Sequence, residues 1–119
     1  MDDDKSVREA TSGLLRSVGY QVQAFDSAES LFSAGVLKNT ECLILDVRMP
    51  GMDGLELQSR LSALGFRIPI IFITAHADSA VRKRALSAGA AGLLPKPYPA
   101  RALLKTLHAV LEEVKACSG

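Results

Sequence analysis

Two stretches of this chain are apolar at every position and end on a polar residue. Cys42-Leu43-Ile44-Leu45 runs into Asp46, and Pro69-Ile70-Ile71-Phe72-Ile73 runs into Thr74. A strand with one face in water alternates apolar and polar residues, whereas a strand covered on both faces does not. Short unbroken runs of this kind constrain the chain to a parallel sheet with helices on both of its faces.

The intervening segments carry the helical period that such a fold needs. Val7, Ala10, Leu14 and Val18 recur on one face, Leu15 widens the stripe, and Gly19 follows as a stop. Tyr20 to Phe25 alternates in polarity and predicts a short strand. Asp26-Ser27-Ala28-Glu29 places an acceptor at a helix start and a carboxylate three residues on, a capping-box arrangement. The helix it opens carries Leu31 and Phe32 and ends near Gly35. A turn-rich loop with Pro50, Gly51, Asp53 and Gly54 follows Asp46. Leu57, Leu61 and Leu64 then predict a third helix, stopped by Gly65. Asp78 is placed to cap a fourth with Val81, Ala85 and Ala88 on its stripe, Leu93-Leu94 predicts a brief strand, and Pro99 opens a last helix carrying Leu103, Leu107, Val110 and Val114.

In open parallel sheets the ligand site lies beyond the carboxyl ends of the strands. The residues to inspect are therefore Asp46, Thr74 and Lys96. A strand-end carboxylate can serve as a nucleophile or as a ligand for a hard cation, or it can simply form a turn. A threonine there suits strand geometry, and a lysine between Pro95 and Pro97 also fits a solvated surface position. Asp2, Asp3 and Asp4 precede the first helix, where carboxylates favour a helix N-terminus. Taken together these groups describe phosphate chemistry. Clustered carboxylates call for a cation such as Mg²⁺, Lys96 can meet a phosphate as a point charge, and the Thr74 hydroxyl can hydrogen-bond a phosphate oxygen.

Composition excludes several other classes. The chain has 119 residues, 48% of them hydrophobic, which suits one domain with a packed core. A net charge of +1 and the absence of Trp offer no nucleic-acid surface on this stretch itself. No apolar run reaches the roughly 20 residues of a membrane span, and the acidic start does not fit a signal peptide; a cytoplasmic protein is expected. Cys42, in an apolar run, reads as a buried small hydrophobe, and Cys117 as incidental; their separation matches no metal-ligand spacing.

Over essentially its whole length the chain resembles the receiver-domain family of two-component signalling. Four stretches carry the resemblance: Asp2-Asp3-Asp4-Lys5-Ser6-Val7-Arg8, Leu45-Asp46-Val47-Arg48-Met49-Pro50-Gly51-Met52-Asp53-Gly54, Ile73-Thr74-Ala75-His76 and Lys96-Pro97-Tyr98. The flavour is that of the FixJ-type subgroup, whose receivers usually precede a helix-turn-helix DNA-binding domain, so DNA would be reached only through an output domain absent from this stretch. The resemblance implies a flavodoxin-like (βα)5 fold, a doubly wound parallel sheet of strand order 2-1-3-4-5, as one receiver domain over residues 1–119 with a tail or linker start at 115–119. It implies a phosphoacceptor at Asp46, fed by a sensor histidine kinase. Mg²⁺ would be held by Asp2, Asp3, Asp46 and the Arg48 backbone carbonyl. Thr74 would close on the phosphoryl group, Lys96 would pair with it across a cis Lys96-Pro97 peptide, and Ala75 would leave the acyl phosphate accessible. Arg48 and His76 would tune its lifetime. The product would be a switch with self-catalysed transfer and dephosphorylation rather than an enzyme. Its changing surface, the fourth helix with the last strand and last helix, would mediate homodimerisation or effector control, and the resemblance implies control of transcription.

Two departures from the family pattern stand out. The family has an apolar strand before the acidic pair, and here only Met1 precedes Asp2. A truncated chain, a misassigned start and a strand supplied from elsewhere, such as another copy, are the alternatives. Leu93 also occupies the place of the usual aromatic switch residue. Three rival readings follow: a degenerate receiver-like interaction module without phosphotransfer; a haloacid-dehalogenase-like phosphatase, which wants a second Asp where Arg48 stands; and a flavodoxin-like domain for another anion.

Overall fold

The computed structural model describes residues 5–47, 54–75, 79–87, 89–96 and 98–118. Helices α1 (Lys5–Ser17) and α2 (Ala28–Ala34) come first, then a 3-10 turn at Leu37–Asn39. Strands and helices alternate from there: β1 (Leu43–Asp46), α3 (Gly54–Ala63), β2 (Ile70–Thr74), α4 (Ser79–Ser87), β3 (Gly92–Pro95) and α5 (Ala100–Ser118). The three strands form one parallel sheet in the order β1-β2-β3. Leu43 lies opposite Ile70 and Asp46 opposite Ile73; Thr74 lies opposite Pro95.

The unbroken apolar runs are explained by two cores, one on each face. Ile70 and Phe72 of β2 point to one side, where they join Leu43, Leu45, Leu31, Leu57, Leu61 and Ala85. Ile71 and Ile73 point to the other, where they join Leu15, Leu103, Leu107 and Val110. Helices α2, α3 and α4 thus cover one face, and α1 and α5 the other. This is the three-layer parallel α/β arrangement of a flavodoxin-like fold, with the three observed strands standing where the expected order places its last three. Among the described residues no helix is long and apolar enough to cross a membrane.

The expected strand at Tyr20–Phe25 is not formed; these residues have no ladder. The reason is the partner it requires. In the expected order its neighbour is a central first strand, and among the described residues the sheet consists of β1, β2 and β3. A strand without a neighbour leaves its N–H and C=O groups unpaired, so the segment gains nothing from strand geometry. Its side chains still serve both cores: Tyr20 and Val22 pack with the α1 and α5 layer, Phe25 with the α2 and α3 layer. Between this segment and β1 runs a groove of about 850 Å³, walled by residues that include Leu15, Val22, Leu31, Ile44 and Leu107.

Local boundaries also shift. Helix α1 buries Leu15 and Ser12, whereas Val18 is 52% exposed because it belongs to the stop, where Tyr20 N–H donates to the Leu15 carbonyl and Gly19 takes φ 99°. The cap of α2 is Ser27, not Asp26: the Ser27 hydroxyl accepts the Ser30 N–H, and Asp26 accepts the Ser30 hydroxyl. Only the Ser27 side chain takes up a backbone N–H of the first turn, and its extended backbone suits the N-cap position. Helix α3 stops at Ala63, leaving Leu64 exposed beyond it. Pro99 stands just before α5, its carbonyl accepting from Ala102 and Leu103. Asp78 and Ala88, expected on α4, lie outside the described residues.

Candidate functional site

The site is assembled from the last residues of three strands. Asp46 ends β1 and is 7% exposed. The ladder continues one residue past it, with Val47 N–H donating to the Ile73 carbonyl at 3.0 Å, so the Asp46 backbone is held on both sides of its side chain. Gly54 N–H then donates to the Val47 carbonyl at 2.9 Å and brings the start of α3 back against the strand end.

Thr74 ends the middle strand one register position beyond Asp46 and is 1% exposed, while Ala75 after it is exposed. Lys96 leaves β3 with its N–H donating to the Thr74 carbonyl at 2.7 Å. Its ammonium reaches Asp46 and donates to Oδ2 at 2.7 Å. Strands β1 and β3 flank β2, and neighbouring strands lie about 4.8 Å apart, so the separation to bridge is on the order of 10 Å. Only a long side chain closes that distance, which accounts for lysine at this strand end. The ion pair is shielded, its side chains 19% and 10% exposed. A pair this desolvated depends on both members, because removing one leaves the other charge in a poorly solvating place.

The three strand-end residues singled out from the sequence therefore stand together at one edge of the sheet, with Asp46 and Lys96 in direct contact. Asp2, Asp3, Arg48, His76 and the Lys96-Pro97 peptide lie outside the described residues. Among the described residues no group of three His, Cys, Asp or Glu side chains is placed to hold a metal. Cys42 offers no competing chemistry: burial pushes its thiol up to about 12, so it stays a neutral thiol.

Two features of the site escaped sequence reasoning. Gly54 reads in sequence only as a turn residue, yet a Cβ there would lie 2.6 Å from the Asp46 carbonyl oxygen. Thr11 on α1 and Tyr98 after Lys96 share a hydrogen bond of 2.7 Å across 87 positions, and nothing in their local sequence connects them.

Comparison with known proteins agrees with this architecture. The profile of the response regulator receiver domain family matches residues 1–108. The chain is 46% identical over 113 residues to the response regulator protein TodT of Pseudomonas putida, a match covering 94% of this chain and 49% of that protein. It superposes on a structure of the response regulator StyR with a TM-score of 0.87 at 45% identity, over 99% of this chain and 62% of that one. It superposes on the crystal structure of FixJ-N with a TM-score of 0.83 at 31% identity, over 94% and 90% of the two chains. The chain spans about half the length of the curated relatives it matches. With its parallel sheet, its ion pair at the strand ends and a family match over nearly its whole length, the chain belongs to the response regulator receiver domain family of two-component systems.

Proposed function

We propose that the chain accepts a phosphoryl group on Asp46 from the phosphohistidine of a partner histidine kinase. The observation that carries this reading is the Lys96 ammonium held 2.7 Å from Asp46 Oδ2 at the carboxyl ends of the strands. An Asp46 carboxylate oxygen attacks phosphorus in line; the new P–O bond forms as the P–N bond to the kinase imidazole breaks and the imidazole leaves. Lys96 turns its ammonium to the phosphoryl oxygens, where charge is concentrated, and the Thr74 hydroxyl donates to one of them. Ala75, exposed and small, leaves the acyl phosphate open to water, and Arg48 and His76 set how fast water reaches it.

The donor set Asp46, Asp2, Asp3 and the Arg48 carbonyl is all hard oxygen, which fits Mg²⁺. When bound, that ion supplies positive charge that offsets the charge on the transferring group. Phosphorylation then shifts the face formed by α4, β3 and α5, which controls homodimerisation and, through an output domain, DNA binding in the cytoplasm.

The test is intact mass after incubation with acetyl phosphate, with and without Mg²⁺. One added phosphoryl group is expected only with the metal, and none on Asp46→Asn; full labelling of that variant sinks the assignment. A second reading, an interaction module without phosphotransfer, is favoured by Leu93, half-buried where the family places an aromatic residue. It predicts no mass increase under any of these conditions.

A further inference from the structure

Lys96 acts on the phosphoryl group only if its ammonium is held in place, and a lysine side chain is long and flexible. Its backbone is tied to β2 by the bond to the Thr74 carbonyl. Two residues on, Tyr98 is tied to α1: its hydroxyl lies 2.7 Å from Thr11 Oγ1, with either oxygen able to donate. The bond is half-buried, and the Tyr98 ring packs with the core formed by Leu15, Leu103 and Leu107. Lys96 and Tyr98 each precede a proline, which disfavours helical backbone at both. Only one residue separates Lys96 from Tyr98, so the chain is a short path from one to the other. The other end of the bond stands on α1, which begins at Lys5 directly after the acidic run Asp2-Asp3-Asp4.

We propose that Thr11 and Tyr98 are positioning residues that hold Lys96 on Asp46 by tying the segment after β3 to the first helix. The inference rests on the reading of Asp46 as phosphoacceptor and adds the residues that orient its cationic partner. Neither residue touches the phosphoryl group. Their effect is on preorganisation, where a displacement of about 1 Å is enough to slow a reaction substantially.

The variants are Thr11→Val and Tyr98→Phe, which remove one hydroxyl each and keep shape and packing, and Thr11→Ser, which keeps the hydroxyl. Phosphorylation by acetyl phosphate is followed at saturating donor and Mg²⁺, well below the thermal midpoint of every variant. A maximal rate lowered about threefold to tenfold is expected for Thr11→Val and Tyr98→Phe. The Mg²⁺ concentration at half-maximal rate stays unchanged, Thr11→Ser reacts as the wild type does, and the double variant is no slower than the slower single. A merely structural role would move the melting temperature and leave the maximal rate alone, and that result overturns the proposal. If the wild type itself takes no phosphoryl group, the phosphoacceptor reading has failed, and the Lys96 ammonium decides the positioning role separately. Its proton exchange, followed by NMR on protein with isotope-labelled lysine, is faster in Tyr98→Phe if the tether holds Lys96; an unchanged rate overturns the proposal.

Discussion

Asp46 owes its position to a residue with no side chain. A Cβ on Gly54 would stand 2.6 Å from the Asp46 carbonyl oxygen and 3.2 Å from the Val47 Cα, both backbone atoms that cannot rotate away. Gly54→Ala should therefore push the start of α3 off the strand end, lowering stability by about 1–3 kcal/mol in denaturant titrations and slowing phosphoryl uptake. Gly92 makes a useful control: its Cβ would meet a Thr106 methyl at 2.9 Å, a side-chain atom that can give way, so Gly92→Ala should cost less. Equal losses for the two would mean that the strand end tolerates movement. Asp46, Thr74 and Lys96 were legible in the sequence because each follows a short apolar run, and strand ends are where ligands bind in this kind of sheet. Gly54 was not, because clearance between a helix start and a strand carbonyl leaves no mark on residue spacing.

The elements show where a correct pattern fails to become structure. Tyr20–Phe25 alternates as a strand should and its side chains reach both cores, yet it forms no ladder. Alternation describes which way side chains point, while a strand exists only through hydrogen bonds to a neighbour. The groove beside β1 is walled by both apolar layers, so what fits there is an extended segment apolar on both faces. Placing such a segment upstream of Asp2 should raise the melting temperature by about 5–10 °C and protect amide protons of residues 20–25 from exchange. An unchanged melting curve would mean that the ordered fold does not use it. The helix caps tell the same story more locally: Asp26 and Ser27 both suit an N-cap, and the Ser27 side chain takes up the Ser30 N–H.

At the scale of the molecule, the chain packs in three layers with a radius of gyration of 13.4 Å, and among the described residues the sheet's buried polar side chains, Asp46 and Thr74, stand at the strand ends. Helix α4 leaves Leu86 55% exposed, a large apolar side chain on the face proposed to switch. If phosphorylation pairs two copies there, scattering from the acetyl phosphate-treated protein should give a clearly larger radius, and Leu86→Glu should block pairing while leaving phosphoryl uptake intact. A phosphorylated protein that stays monomeric would remove homodimerisation from the proposal. The sequence by itself determined the fold class and pointed to Asp46, Thr74 and Lys96 at the strand ends, because burial on two faces writes unbroken apolar runs and their ends mark where polar groups emerge. Only the tertiary structure decided which strands exist, which cap is used, that Gly54 packs against the Asp46 carbonyl and that Thr11 meets Tyr98, because ladder pairing, backbone clearance and a hydrogen bond across 87 positions depend on residues that meet only in three dimensions.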